Sequence, residues 1–332
     1  MSKSHPQSPE DRSPFAGKKA KNLFLLLRIS GAVAVLAILF QVADIEKVRT
    51  KLAQAEWTWI LYATIITVLA PLLGSIRLKL FLAATGVVLS YRRCLKASLC
   101  GLSLNLLLPA RGGDLAKVAF LRSGPQGPSW STLAGAALLE RGFDVLTLGL
   151  VGLTTALVLE ATEAAIVSGI AATMAATGLL CLPLAGSWPL VGKKLSLIAQ
   201  ATSAAYRRKR TLLLAGITAC FFWILVSAIM GCLFQAFDQN ITLAHALAVT
   251  PPSILVGIVP VSLWGVGTRD GALAYFLQGL TAPENAISAG FLYTALVYWL
   301  LGLIGLPALL LARRKTKTIT DDPAKSNALG SS

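Results

Sequence analysis

The sequence predicts an all-α, polytopic helical membrane protein, with about six full spans and two re-entrant broken helices in an inverted repeat. Three observations lead there. The 332 residues are 55% hydrophobic and only 14% charged, with a mean hydropathy of +0.70, an apolar excess that a water-soluble domain does not carry. The basic residues fall in short runs flanking apolar stretches, as topology signals do. Two apolar stretches, about 150 residues apart, break alike: each passes through a proline, glycines, one arginine and one aspartate, then resumes as an apolar segment.

Residues 1–22 are polar, basic and proline-containing, and are expected to form a disordered cytoplasmic tail. Residues 23–43 meet the length of about 20 that a spanning helix needs and exceed a signal-peptide core of about 7–15 residues. They read as an uncleaved signal anchor. Further spans are expected at 57–76, 131–159, 164–186, 212–237 and 287–312. Trp57, Trp59, Trp130 and Trp188 suit an interfacial aromatic belt. The amphipathic stretch between Trp188 and Arg210 is expected to lie on anionic headgroups. Residues 23–312 therefore form one transmembrane domain with half-repeats at about 57–159 and 212–312, and 313–332 form a basic cytoplasmic tail.

Charge placement orients the chain. Basic residues gather in the N-terminal tail, in a loop assigned Arg77, Lys79, Arg92, Arg93 and Lys96, in 193–210, and in the C-terminal tail. The opposite loops are poor in base, so a multi-pass protein of the bacterial plasma (inner) membrane is expected, with both termini cytoplasmic. The pattern closes only if 95–122 enters as a hairpin from the cytoplasm and 242–280 as a hairpin from outside, which makes the two halves inverted repeats.

The net charge of +15 raises nucleic acid as a partner, but no binding motif accompanies it, and none is expected. Five cysteines without a CxxC spacing and two isolated histidines, His5 and His245, indicate neither a disulfide framework nor a metal site. No cofactor is expected. Self-association into a homo-oligomer stays open.

The two breaks carry the conspicuous chemistry. The first reads LLLPARGGDLAKVAFL over 106–121, with Arg111, Gly113 and Asp114; the second reads IVPVSLWGVGTRDGALAYFL over 258–277, with Gly265, Gly267, Arg269 and Asp270. Broken backbone at membrane depth is tolerated where it is buried in protein or lines a wet cavity, and interrupted segments in corresponding halves point to a transporter's binding site. The resuming half-helices would aim N–H groups at the cavity, and guanidinium forks suit a lipid phosphate. The alternative is that Asp114 and Asp270 neutralise the two arginines as structural glue. A third cluster, Glu140, Arg141 and Asp144 in LLERGFDVLTL, places Arg141 within i,i+3 reach of Asp144. Such groups inside a span face the bundle interior or water. Helix locking, substrate contact and proton coupling are all open to them. Lys117 and Arg122 are expected to return to the cytoplasmic headgroups.

These motifs, PARGGD with Lys117, ERGFD, and PVSLWGVGTRDGAL, resemble the lysylphosphatidylglycerol synthase transmembrane (flippase-like) family over roughly 20–315. The family's usual pattern is P-G-R-x-G-E-x-x-R, E-R-x-x-D and G-G-x-G-x-R-E. This chain departs from it at Ala110, Asp114, Lys117, Trp264 and Asp270, with the charge signs kept. The resemblance implies a lipid-translocating membrane region, as a stand-alone member without the soluble synthase domain. The leading expectation is a non-enzymatic flippase that moves a phospholipid or related anionic amphiphile, its phosphate on Arg111 or Arg269. An intramembrane lipid-modifying transferase using Asp114, Glu140, Asp144 or Asp270 as base, and an accessory subunit of a lipid-synthesis complex, are the alternatives.

Overall fold

A computed structural model describes residues 45–107, 112–122, 127–184, 193–237, 240–258 and 266–320, and every regular element among them is helical. The expected first span, 23–43, and residues 108–111 and 259–265 of the two expected breaks lie outside the described residues. Among the described residues, five helices are long and apolar enough to cross a membrane: Trp57–Ala84, Trp130–Val158, Thr162–Cys181, Lys209–Phe237 and Pro283–Ala312. They overlap the other five expected spans, four of them to within about five residues at each end.

A short amphipathic α1 (Ile45–Gln54) leads into α2 (Trp57–Ala84). Next come a pair of shorter helices, α3 (Tyr91–Leu107) and α4 (Gly112–Leu121), and then the long α5 (Trp130–Val158). After α6 (Thr162–Cys181) and α7 (Lys193–Arg207) the order repeats. The long α8 (Lys209–Phe237) is followed by the shorter α9 (Leu243–Ile258) and α10 (Thr268–Phe276). Then α11 (Pro283–Thr294) passes through a π-helical turn, Ala295–Leu300, into α12 (Leu301–Thr320).

Packing is reciprocal. The two leading helices, α2 and α8, lie against each other, α3 packs on α12 of the other half, and α9 packs on α5. At ten residues, α4 is about 15 Å long at 1.5 Å per residue, half the thickness of a hydrocarbon core. It folds back on α3 instead of continuing outward. Gly101 and Gly113 permit this, since a Cβ on Gly113 would overlap the Gly101 carbonyl and the Asn105 backbone. At the mouth of the pair, Arg93 near the start of α3 donates to Leu121 O at the end of α4 (2.6 Å), so the pair starts and finishes at one end of the bundle. Arg208 donates to Ala84 O at that end (3.0 Å). Both arginines meet the carbonyl-rich C-termini of helices, where a cation is favoured. At the other end, the Glu56 N–H donates to Ala236 O (3.0 Å).

Two assignments made from sequence change here. The second span does not stop at residue 76; α2 runs on to Ala84, taking Arg77 and Lys79 out of the loop and into the helix. Lys117 does not return to headgroups either, being 6% exposed and ion-paired inside the protein. In both cases a buried acid on α5 outweighs the pull of water on the cation.

Candidate functional site

The ERGFD motif folds as part of α5, where helical spacing brings Glu140, Arg141 and Asp144 to neighbouring turns. Glu140 is 1% and Asp144 3% exposed. Two bare carboxylates at such depth cost several kcal/mol each unless paired, and each is paired. Arg77 of α2 bridges them, with Nη2 donating to Glu140 Oε1 at 2.9 Å and Nη1 to Asp144 Oδ1 at 2.5 Å. Lys117 of α4 donates to Glu140 Oε1 at 2.9 Å and lies 2.8 Å from Oε2. Trp223 of α8 donates its indole N–H to Asp144 Oδ1 at 2.9 Å, and Arg141 Nη1 stands 3.3 Å from Asp144 Oδ2. The Arg77 guanidinium also sits over the Phe222 ring, 4.3 Å from its centroid. The cluster thus ties α2, α4, α5 and α8 together. Among the described side chains it joins three cations to two anions.

This network forms one wall of a cavity of about 140 Å³ between the two halves. Arg77, Lys117, Glu140, Arg141, Asn105 and Ser98 supply polar lining, and Ala70, Pro71, Phe222, Val226, Ile229, Val297 and Leu301 apolar lining. Arg141 is the network member facing outward, its side chain 33% exposed against 1–7% for the other four. The lining is thus amphipathic, with basic side chains and apolar ones facing one space.

The second broken segment makes a clamp. Gly267, at φ 94°, turns the chain into α10, and its N–H donates to Asp270 Oδ2 (3.3 Å), which caps the helix. Arg269, 2% exposed, is held by its neighbour through Nε and Nη2 to Asp270 Oδ1. Its Nη2 also donates to Gly290 O (2.7 Å) and Thr294 Oγ1 (2.8 Å) on α11. Gly290 must be glycine here, because a Cβ would strike the Asp270 carboxylate. Arg269 does not line the cavity. It meets it through Tyr293, whose ring lies 4.6 Å from the guanidinium carbon and which forms part of the lining. The π-helical turn starts immediately after Thr294, and its Val297 and Tyr298 line the cavity as well. Such turns are frequent at functional sites.

Of the residues singled out from sequence, Glu140, Arg141 and Asp144 come together, as do Gly267, Arg269 and Asp270. Gly113 lies at the α3–α4 contact. Arg111 and Gly265 are outside the described residues, and Asp114 is described only as backbone of α4. Sequence reasoning missed Arg77, the bridge between the two acids, although apolar residues resume right after it at Leu78 and Leu80. It also passed over Trp223, Tyr293 and the π-helical turn.

Apolar helices of spanning length around a charged internal cavity define a multi-pass helical membrane protein. Residues 25–305 match the family described as the lysylphosphatidylglycerol synthase TM region, and the chain belongs to that family. No curated protein matches the chain.

Proposed function

We propose that the chain is a lipid flippase, moving a phospholipid or related anionic amphiphile between leaflets without changing it chemically. The observation that carries this reading is the cavity between the two halves, lined both by basic and polar side chains (Arg77, Lys117, Arg141 and Asn105) and by apolar ones. The head would enter against Arg141, Arg77 and Lys117 while the tails stay in the bilayer. Arg111, outside the described residues, follows the same break and is proposed as a further phosphate contact. Arg269 acts one step back, by holding Tyr293.

Alternating access would come from rocking one half on the other. The reciprocal packing of α3 on α12 and α9 on α5 favours two equivalent halves. The common mouth of α3 and α4 at Arg93 and Leu121 favours a re-entrant hairpin. With 23–43 as a sixth span and the basic end in the cytoplasm, both termini are cytoplasmic.

The test is purified protein in liposomes carrying fluorescent phosphatidylglycerol, with leaflet exposure read by chemical quenching and the lipid checked by mass spectrometry. Transfer of unchanged lipid, lost in Arg141→Ala, is the expected result. Absence of transfer, or a chemically altered lipid, overturns it.

A further inference from the structure

Two irregularities bracket one part of the second half. The first is Pro251–Pro252 inside α9. Lacking amide protons, the pair leaves the Leu247 and Ala248 carbonyls without their usual donors four residues on, and its rings crowd the preceding turn. The counterpart helix of the first half, α3, contains no proline. The second irregularity is the π-helical turn, Ala295–Leu300, directly after α11. Between the two, Arg269 joins α10 to α11 by donating to Gly290 O and Thr294 Oγ1. Helices kink at prolines and at π-turns, so this clamped pair has a bending point on either side.

Hydrogen bonding at the prolines is incomplete. Buried Thr67, Ser75 and Ser253 each donate to the carbonyl four residues earlier. Ser168, Ser227 and Thr250 are buried with no partner among the described residues. A Cβ on Gly152 of α5 would stand 2.5 Å from Ser168 Oγ and 3.1 Å from a carbon of each proline ring. Thr250 adjoins Pro251. Ser227 lies one turn along α8 from Gly231, whose neighbour Ala246 lies one turn before Thr250. A buried donor without an acceptor is costly, and Ser168 stands beside carbonyls that lack donors. Beyond the prolines there is room to move. A groove of about 480 Å³ separates α10 from α6, lined by Val256 of α9, Ala272 and Tyr275 of α10, and Ile166 and Val167 of α6.

We propose that the end of α9 beyond Pro252, together with α10 and α11, is a gate with two positions, hinged at Pro251–Pro252 and at the π-helical turn. In the position described above the groove is open and the three hydroxyls are unpaired. In the other, α10 closes on α6 and Ser168 donates to a carbonyl freed by the prolines. Tyr293, at the end of α11, and Val297 and Tyr298, in the π-helical turn, carry the movement to the wall of the cavity between the halves.

The purpose of such a gate rests on the lipid-carrier reading, but its test needs no transport. Full-length protein without its native cysteines is spin-labelled at exposed Met174 of α6 and Tyr275 of α10, in liposomes of phosphatidylglycerol and phosphatidylethanolamine. Pulsed electron paramagnetic resonance should give two distances for this pair. Tyr275 with Phe291 of α11, both inside the gate, should give one. Pro251→Ala with Pro252→Ala restores the missing amide donors and should leave a single Met174–Tyr275 distance. Ser168→Ala withdraws one hydrogen bond from the closed position and should shift the populations about fivefold towards the longer distance. It carries the test if the double variant fails to fold. A single Met174–Tyr275 distance in the parent protein overturns the inference, as do two populations that neither variant alters. A parallel transfer assay separates the two readings. Two hinge-dependent distances without lipid transfer keep the gate and remove the flippase; transfer with a single distance does the reverse.

Discussion

Trp223 on α8 donates its indole N–H to Asp144 on α5 across 2.9 Å. This single bond crosses from the second half of the chain into the acidic motif of the first. Trp223→Phe keeps the apolar bulk and removes the donor, leaving Asp144 to Arg77 and Arg141. A loss of about 1–3 kcal/mol is expected, as for a hydrogen bond to a buried charge, read as a lower melting temperature in detergent. A melting temperature equal to wild type would show that the bond contributes nothing.

Arg77 touches both carboxylates whereas Lys117 touches one. Arg77→Met leaves Asp144 to Arg141 and Trp223, removes half of Glu140's pairing, and should cost about 3–5 kcal/mol, as broken buried ion pairs do. Lys117→Met should cost distinctly less. The pair shares Glu140, so the double variant should deviate from the sum by about 0.5–3 kcal/mol. Equal losses with simple additivity would mean that the cluster does not act as one network.

Gly290→Ala places a methyl group against the Asp270 carboxylate and so pries at the Arg269 clamp. A loss of about 1–3 kcal/mol is expected from overpacking, together with loss of lipid transfer, because Tyr293 and the π-helical turn shift at the cavity wall. Arg269→Lys cannot reproduce the Nε and Nη2 contacts and should give the same transport defect. Normal transfer in both variants would confine the clamp to folding.

Glu160→Cys and Lys209→Cys, each in a background without the native cysteines, place single thiols at opposite ends of the bundle. A membrane-impermeant reagent should label position 160 from outside intact cells and position 209 only after permeabilisation. The reverse pattern would turn the orientation over.

Much of this was legible in the sequence because each helix carries its own signal. Hydropathy marked four of the five described spans to within about five residues and stopped eight residues short of the end of α2. Pro109 and the Gly112–Gly113 pair marked the division between α3 and α4, and the i,i+3 relation of Arg141 to Asp144 follows from helical geometry alone. Arg77 was misread because hydropathy stops at a charge, while the acids that retain it lie 63 and 67 residues further on. Lys117 was misread for the same reason, its partner being 23 residues away. The π-helical turn leaves no periodicity to detect; it follows the Arg269 contacts with Gly290 and Thr294, residues 21 and 25 positions along the chain. Pairings made across the bundle are a property of the packed chain, and local pattern does not encode them.

The α3–α4 pair rests backbone on backbone. Gly113 abuts Gly101, a Cβ on Gly305 would run into the Leu99 carbonyl, and Ser103 donates to Gly302 O at 2.7 Å. The consequence is evolutionary. An exposed Leu310 or Leu311 can exchange with another apolar residue at little cost, but these glycines admit no substituent without parting the helices. Substitution is therefore expected to be tolerated on the outer surface and least at the glycine contacts of these inner seams.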